Sequence, residues 1–241
     1  MNIAMVSGPR NLSTAMMYSF AARGDCAAWD EPFYAAYLKM TGIDHPMRDE
    51  IIAAHENDPD KVAAMCRGAA PGGKAHFYQK HMTLHIIPGI DRSFMRACQN
   101  VFLIRHPARV VASYAKKREG PTLADIGFVQ QAELFDEVSD WLGHAPLVID
   151  SADILHDPPG MLRKLCAALG IAWDPAMLRW EPGIHATDGV WASHWYDAVV
   201  SSTGFGSPDK PPPELTAEER AVADACRAGY DYLAQYKIAA S

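Results

Sequence analysis

The sequence predicts a three-layer α/β/α domain around a central, mostly parallel sheet. Short apolar runs alternate along the chain with segments of helical character, which is the pattern of βαβ units. Several of the runs are apolar throughout, as strands buried on both faces must be. The chain also starts with a strand-to-helix step whose turn holds a glycine, a proline, an arginine and two hydroxyls. With 241 residues, 49% hydrophobic and 21% charged, one domain over 1–241 with a sizeable core is expected.

Taken in order, the expected elements are a strand at Ile3–Ser7, a helix at Ser13–Ala22 and a strand at Ala27–Asp30. Helices at Glu50–His55 and Lys61–Arg67 follow, the second announced by Asp58-Pro59. Strands at His76–Lys80 and Val101–Arg105 come next, then helices at Arg109–Lys117 and Leu123–Leu142, the latter stopped by Gly143. A last strand at Leu147–Asp150 leads through Pro158-Pro159 into a helix at Gly160–Leu169, ended by Gly170. The stretch 183–213 is rich in Gly, Ser, Trp and Pro and reads as a lid or late binding loop. Its end, Pro211-Pro212-Pro213, reads as a stiff spacer. A Thr/Glu capping box at Thr216 and Glu219 opens a final helix over 216–236.

Composition excludes several function classes. A formal net charge of −7 argues against nucleic acid and against a polybasic membrane anchor, so an anionic ligand has to be caught by a local basic pocket. The sequence offers no signal peptide and no membrane span, and a cytoplasmic location is expected. Five scattered cysteines (Cys26, Cys66, Cys98, Cys166, Cys226), none in a CxxC pair, read as buried reduced thiols.

The segment Ser7-Gly8-Pro9-Arg10-Asn11-Leu12-Ser13-Thr14 has the layout of an anion loop. A helix N-terminus leaves amide N–H groups unpaired and carries positive partial charge, so an oxyanion binds there through several amides at once. Arg10 adds a planar fork of donors suited to phosphate or sulfate, and Ser13 or Thr14 can cap the helix or bind the anion. The Gly-Lys-Ser/Thr ending of an ATP loop is missing. A second strand-turn-helix step carries Arg105 at a strand end and Ser113 eight residues later. In open α/β sheets ligands gather at the carboxyl ends of strands. Two anion sites there suit a ligand charged at both ends, although Arg105 alone also reads as a strand-end cation paired with a carboxylate.

These two motifs resemble the 5'-phosphosulfate loop and the 3'-phosphate motif of the sulfotransferases that use 3'-phosphoadenosine 5'-phosphosulfate (PAPS). Their order agrees with that family, and the run Pro146–Pro158 looks like a fifth-strand segment common in its bacterial members, so the resemblance spans most of residues 2–170. It implies the P-loop, sulfotransferase variety of the α/β fold, PAPS as co-substrate without a metal, and sulfuryl transfer to a hydroxyl of a small metabolite or glycan-like acceptor. By resemblance, Arg10 and the backbone of Asn11, Leu12, Ser13 and Thr14 hold the 5' end, with Arg10 stabilising charge on the bridging oxygen. Arg105 and Ser113 hold the 3'-phosphate. Thr203 and Gly204, in Ser201–Gly206, correspond to a late loop touching the same phosphate, but the basic residue expected beside the glycine is absent.

Two residues are candidates for the base that takes the acceptor's proton. His81 is preferred: it follows a strand in a segment similar to the Lys-x-His of cytosolic members, and imidazole suits proton transfer near neutrality. Lys80 stands immediately before it, a register change that leaves that lysine without a role. Glu31 ends the second strand in Trp29-Asp30-Glu31-Pro32, resembling an acid-Pro step of bacterial and carbohydrate sulfotransferases. The acceptor pocket is assigned to the helices between Phe33 and Arg67 and to the aromatic stretch Trp191–Phe205. An ATP-dependent small-molecule kinase, a non-catalytic binder of nucleotide bisphosphates and a pyridoxal-phosphate enzyme are the rival readings, and a homodimer stays open.

Overall fold

The fold was determined as a computed structural model, which describes residues 1–118, 120–211 and 213–240, with the side chains of Asp197 and Ala198 excepted. Pro212 of the expected proline spacer lies outside the described residues.

The five expected strands all form: β1 (Asn2–Ser7), β2 (Cys26–Asp30), β3 (His76–Met82), β4 (Cys98–Ile104) and β5 (Leu147–Asp150). They make one sheet in the order β2-β3-β1-β4-β5, with β2 parallel to β3 and β4 parallel to β5. Ile3 to Val6 of β1 and Val101 to Ile104 of β4 are wholly buried. Covered on both faces, they read as unbroken apolar runs.

Helix α1 (Ser13–Ala21) follows β1. Then α2 (Tyr34–Thr41), α3 (Arg48–Ala54) and α4 (Pro59–Arg67) lie between β2 and β3. The sequence did not show α2, because its start has no side-chain cap and helix starts are read mainly from such caps. Asp58 caps α4 by accepting from the amides of Asp60 and Lys61, as expected. After β4, α5 (Pro107–Ala115) begins on its proline, two residues ahead of expectation. The single helix expected over Leu123–Leu142 is two, α6 (Leu123–Ile126) and α7 (Phe128–Leu142), because Gly127 is left-handed at φ 78°. After β5 come α8 (Ser151–His156) and α9 (Pro158–Leu169). Within the expected irregular stretch lie two short helices, α10 (Ala192–Trp195) and α11 (Asp197–Val200). The capping box at Thr216 and Glu219 forms, but the last helix divides at Cys226 into α12 (Ala217–Ala225) and α13 (Arg227–Ala234).

The chain divides into two compact units, each built from separated stretches. The first comprises Met1–Met5, Thr14–Gln99 and Asp174–Phe205; the second comprises Val6–Ser13, Asn100–Trp173 and Gly206–Ser241. In the first, Tyr34, Leu38 and Ile51 pack with Trp191 and Tyr196, so part of the aromatic stretch assigned to an acceptor pocket is core. In the second, Val110, Val111, Ile126 and Phe128 pack with Ala223 and Cys226. All five cysteines are buried thiols. Among the described residues no helix is long and apolar enough to cross a membrane.

Candidate functional site

In the second unit the loop after β1 is held in an unusual backbone conformation. Arg10 and Leu12 have φ of 62° and 72°, on either side of Asn11. Positive φ costs a non-glycine residue of order 1–3 kcal/mol and clusters at ligand clamps. Left-handed residues alternating with ordinary ones are also the pattern of an anion-binding nest of backbone amides. Gly8 serves close packing rather than a turn: a Cβ there would lie 2.6 Å from the carbonyl oxygen of Ile126. The Asn11 side chain is buried and donates to Leu103 O at 3.3 Å. Gln131 donates to Val6 O at 3.1 Å and to Leu103 O at 3.0 Å, tying the end of β1 and its loop to β4.

The two arginine motifs meet in this unit. Arg10 Nε donates to Ser113 Oγ at 2.9 Å, and an Arg105 terminal nitrogen donates to Arg10 O at 3.1 Å. Arg105 Nε is buried without a hydrogen-bond partner, an unmet donor beside the loop. The other Arg105 terminal nitrogen pairs with Asp209 at 2.8 Å. Asp209 also lies 3.2 Å from Arg109 Nε, and Arg109 donates to Lys210 O. The late segment brought to Arg105 is therefore 209–210, and the carboxylate partner that Arg105 could be expected to have exists.

Thr203 and Gly204 belong to the first unit. Gly204 bridges to Arg179 in antiparallel fashion, and a Cβ on it would lie 2.9 Å from Leu178 O, so close backbone packing explains the glycine. Thr203 lines an open cleft of about 600 Å³ with Tyr18, Arg179, Trp180, Glu181 and His185. Tyr18 and His185 stack in it with centroids 4.1 Å apart.

Both candidate bases lie in the first unit. His81 is 1% exposed, its Nε2 is 3.2 Å from Gln79 Oε1, and its ring packs against both Phe33 and Phe94. Burial first, and His85 second, push its pKa down to about 3. Glu31 is 7% exposed and has φ 40°. It belongs to a buried ionic cluster with Asp30, Lys80 and Tyr196. The cluster follows from the sheet: Asp30 and Lys80 are partners in the parallel β2–β3 register, so their side chains stand side by side on one face. Burial works to lower the Lys80 pKa, but the Asp30 and Glu31 carboxylates outweigh it and hold the ammonium above its usual range. Burial raises Asp30. His85 Nδ1 lies 3.6 Å from Glu31 Oε2, beyond a hydrogen bond, and has no hydrogen-bond partner.

The sulfotransferase domain model matches residues 1–231. This chain belongs to the sulfotransferase domain family. Two solved structures share its fold: a sulfotransferase from Alicyclobacillus acidocaldarius, 14% identical with a TM-score of 0.59 over 98% of this chain and 96% of that one, and the sulfotransferase domain from the curacin biosynthetic pathway, 16% identical with a TM-score of 0.54 over 94% of this chain and 97% of that one. Two curated Arabidopsis thaliana proteins match more closely in sequence. The branched-chain-amino-acid aminotransferase-like protein 2 is 35% identical over 228 residues, 94% of this chain, and protein 1 is 38% identical over 207 residues, 86% of this chain. The chain spans only 40% and 37% of their lengths.

Asp30, Lys80, Tyr196 and Asp209 were missed as partners in the sequence. A lysine inside an otherwise buried strand was the one available signal for the first cluster. Nothing near the proline run marked Asp209.

Proposed function

We propose that the chain transfers a sulfuryl group from PAPS to a hydroxyl of a small acceptor. The observation that carries this reading is the second-unit cluster in a sulfotransferase-family chain: a strained loop at Arg10 and Leu12, joined to Ser113 and Arg105, with a buried Arg105 donor unmet. These residues fit an anionic ligand with two charged groups. Arg10 and the backbone of Asn11 to Thr14 would bind the phosphosulfate, and Arg105 with Ser113 the 3'-phosphate; Thr203 and Gly204 remain proposed contacts of the late loop. In the transfer, the bond from sulfur to the bridging oxygen breaks and one from sulfur to the acceptor oxygen forms. The electron pair leaves on the phosphate and the acceptor's proton goes to a base. Arginine and amides are suited to hold the charge on the leaving oxygen.

For the base we prefer Glu31 to His81. His81 is enclosed by phenylalanines, and its low pKa opposes taking a proton. Glu31 sits in strained backbone, in a cluster of two carboxylates and one ammonium.

Thermal-shift measurements with adenosine 3',5'-bisphosphate, ATP-magnesium and pyridoxal phosphate test the reading. Stabilisation by the bisphosphate alone is expected, about 2.7 kcal/mol at a hundredfold excess over Kd, and Arg105→Ala should abolish it. A shift with ATP-magnesium alone would support the kinase reading instead.

A further inference from the structure

Lys80 is a cation whose every donor is engaged inside the protein. Its Nζ donates to Glu31 Oε1 at 2.5 Å, to Asp30 Oδ1 at 2.9 Å and to Tyr196 OH at 2.7 Å. An ammonium has three protons to give, so this one has none left for a ligand. Tyr196 OH accepts a second bond from Trp191 Nε1 at 3.1 Å and donates to Asp30 Oδ2 at 2.7 Å. Asp30 Oδ2 also accepts from Gly189 N at 3.2 Å. Lys80 further holds Glu31 through the backbone, because its carbonyl oxygen accepts from Glu31 N at 2.9 Å. One residue thus grips Glu31 at both ends, at a position where φ is 40°.

We propose that Lys80 is a positioning residue for the proton acceptor: it clamps Glu31 at its amide and at Oε1, leaving Oε2 as the oxygen that takes the acceptor's proton. The proposal rests on the reading of Glu31 as base. Three features support it. The Oε1 bond fixes the carboxylate rotamer. The strained backbone, tied to Lys80 O, fixes where the side chain starts. Tyr196 and Asp30 in turn fix Lys80, so the clamp does not slacken when Glu31 changes protonation. Tyr196 OH also lies 3.4 Å from Glu31 Oε1, and His85 beyond β3 and Tyr34 from α2 act on the carboxylate as well, both held neutral in this setting by burial first. Asp188 and Tyr18 act on Asp30 at longer range.

The test follows the carboxyl-carbon resonance of Glu31 against pH in ¹³C-glutamate-labelled full-length protein, assigned by its loss in Glu31→Gln. Lys80→Met alone buries two unpaired carboxylates, so the chosen variant is Lys80→Met with Asp30→Asn, which removes one charge of each sign. Lys80→Gln is the second variant in case that pair does not fold. The expected result is a titration midpoint about one pH unit or more above that of the matched reference that keeps the lysine, Asp30→Asn for the double variant and wild type for Lys80→Gln, since only the cation then differs. Lys80→Arg, which keeps the charge, should bring the midpoint back. A midpoint no higher than that of the matched reference in the folded variant overturns the clamp. Conversion of PAPS to adenosine 3',5'-bisphosphate, measured with a panel of primary alcohols and phenols, separates the two readings. If Glu31→Gln converts PAPS as wild type does, the base reading fails and takes the clamp with it. If Glu31→Gln loses conversion while the Lys80 variants leave the midpoint in place, only the clamp fails.

Discussion

Asp209 places a carboxylate on the arginine that the sequence marks for an anion. It lies 2.8 Å from Arg105 and 3.2 Å from Arg109, so a phosphate arriving at Arg105 has to displace or share that partner. Asp209→Asn should therefore tighten adenosine 3',5'-bisphosphate severalfold, about 1 kcal/mol for a partly exposed pair, read by titration calorimetry at low salt. An unchanged or weaker affinity would mean that Asp209 organises the arginines rather than competing for them. Among the described residues only four non-glycines have positive φ: Arg10, Leu12, Glu31 and Met47. Three of them were already singled out from the sequence for chemistry. Residue type showed the donors and the acid; the strain that holds them became visible only in the backbone.

At the scale of elements, the loop after β1 depends on packing more than on turn geometry. Gly8 lies against the carbonyl of Ile126 at the end of α6, and Gln131 of α7 binds backbone at the ends of β1 and β4. Gly8→Ala should cost about 1–3 kcal/mol in denaturant unfolding, the range for overpacking a tight contact. It should also weaken bisphosphate binding, because the loop must shift to admit the methyl. A destabilisation below that range would show that α6 yields easily. The positions of β1 and β4 were legible because strands buried on both faces are mostly apolar, and α4 and α12 were legible from their caps. Helix α2 was not, since it starts without a side-chain cap, and the break at Gly127 was hidden because the sequence around it stays helical in pattern.

At the scale of the whole molecule, buried histidine couples stability to pH. His81 has a folded pKa near 3, lowered by burial first, against 6.5 when free. Between those values the unfolded chain binds the proton and the folded chain does not, so stability falls as pH drops through that window and is independent of this group above it. The slope is about 1.4 kcal/mol per pH unit at its steepest. His81→Phe should flatten that slope between pH 6 and pH 4 in urea unfolding, and an unchanged slope would show that His81 does not carry the coupling. His85, also lowered by burial, is expected to leave part of the slope in place.

The sequence by itself determined the α/β class, all five strands, and the two strand-to-helix steps that carry Arg10 and Arg105. Local pattern suffices there, because apolar runs, caps and glycines act on their immediate neighbours. Only the tertiary structure decided which side chains meet. The β2–β3 register set Lys80 beside Asp30 and so beside Glu31, the fold buried His81 against Phe33 and Phe94, and the segment after the late loop brought Asp209 to Arg105. Lys80 and Asp30 are 50 positions apart and Arg105 and Asp209 are 104 apart, and no local periodicity encodes contact at that separation.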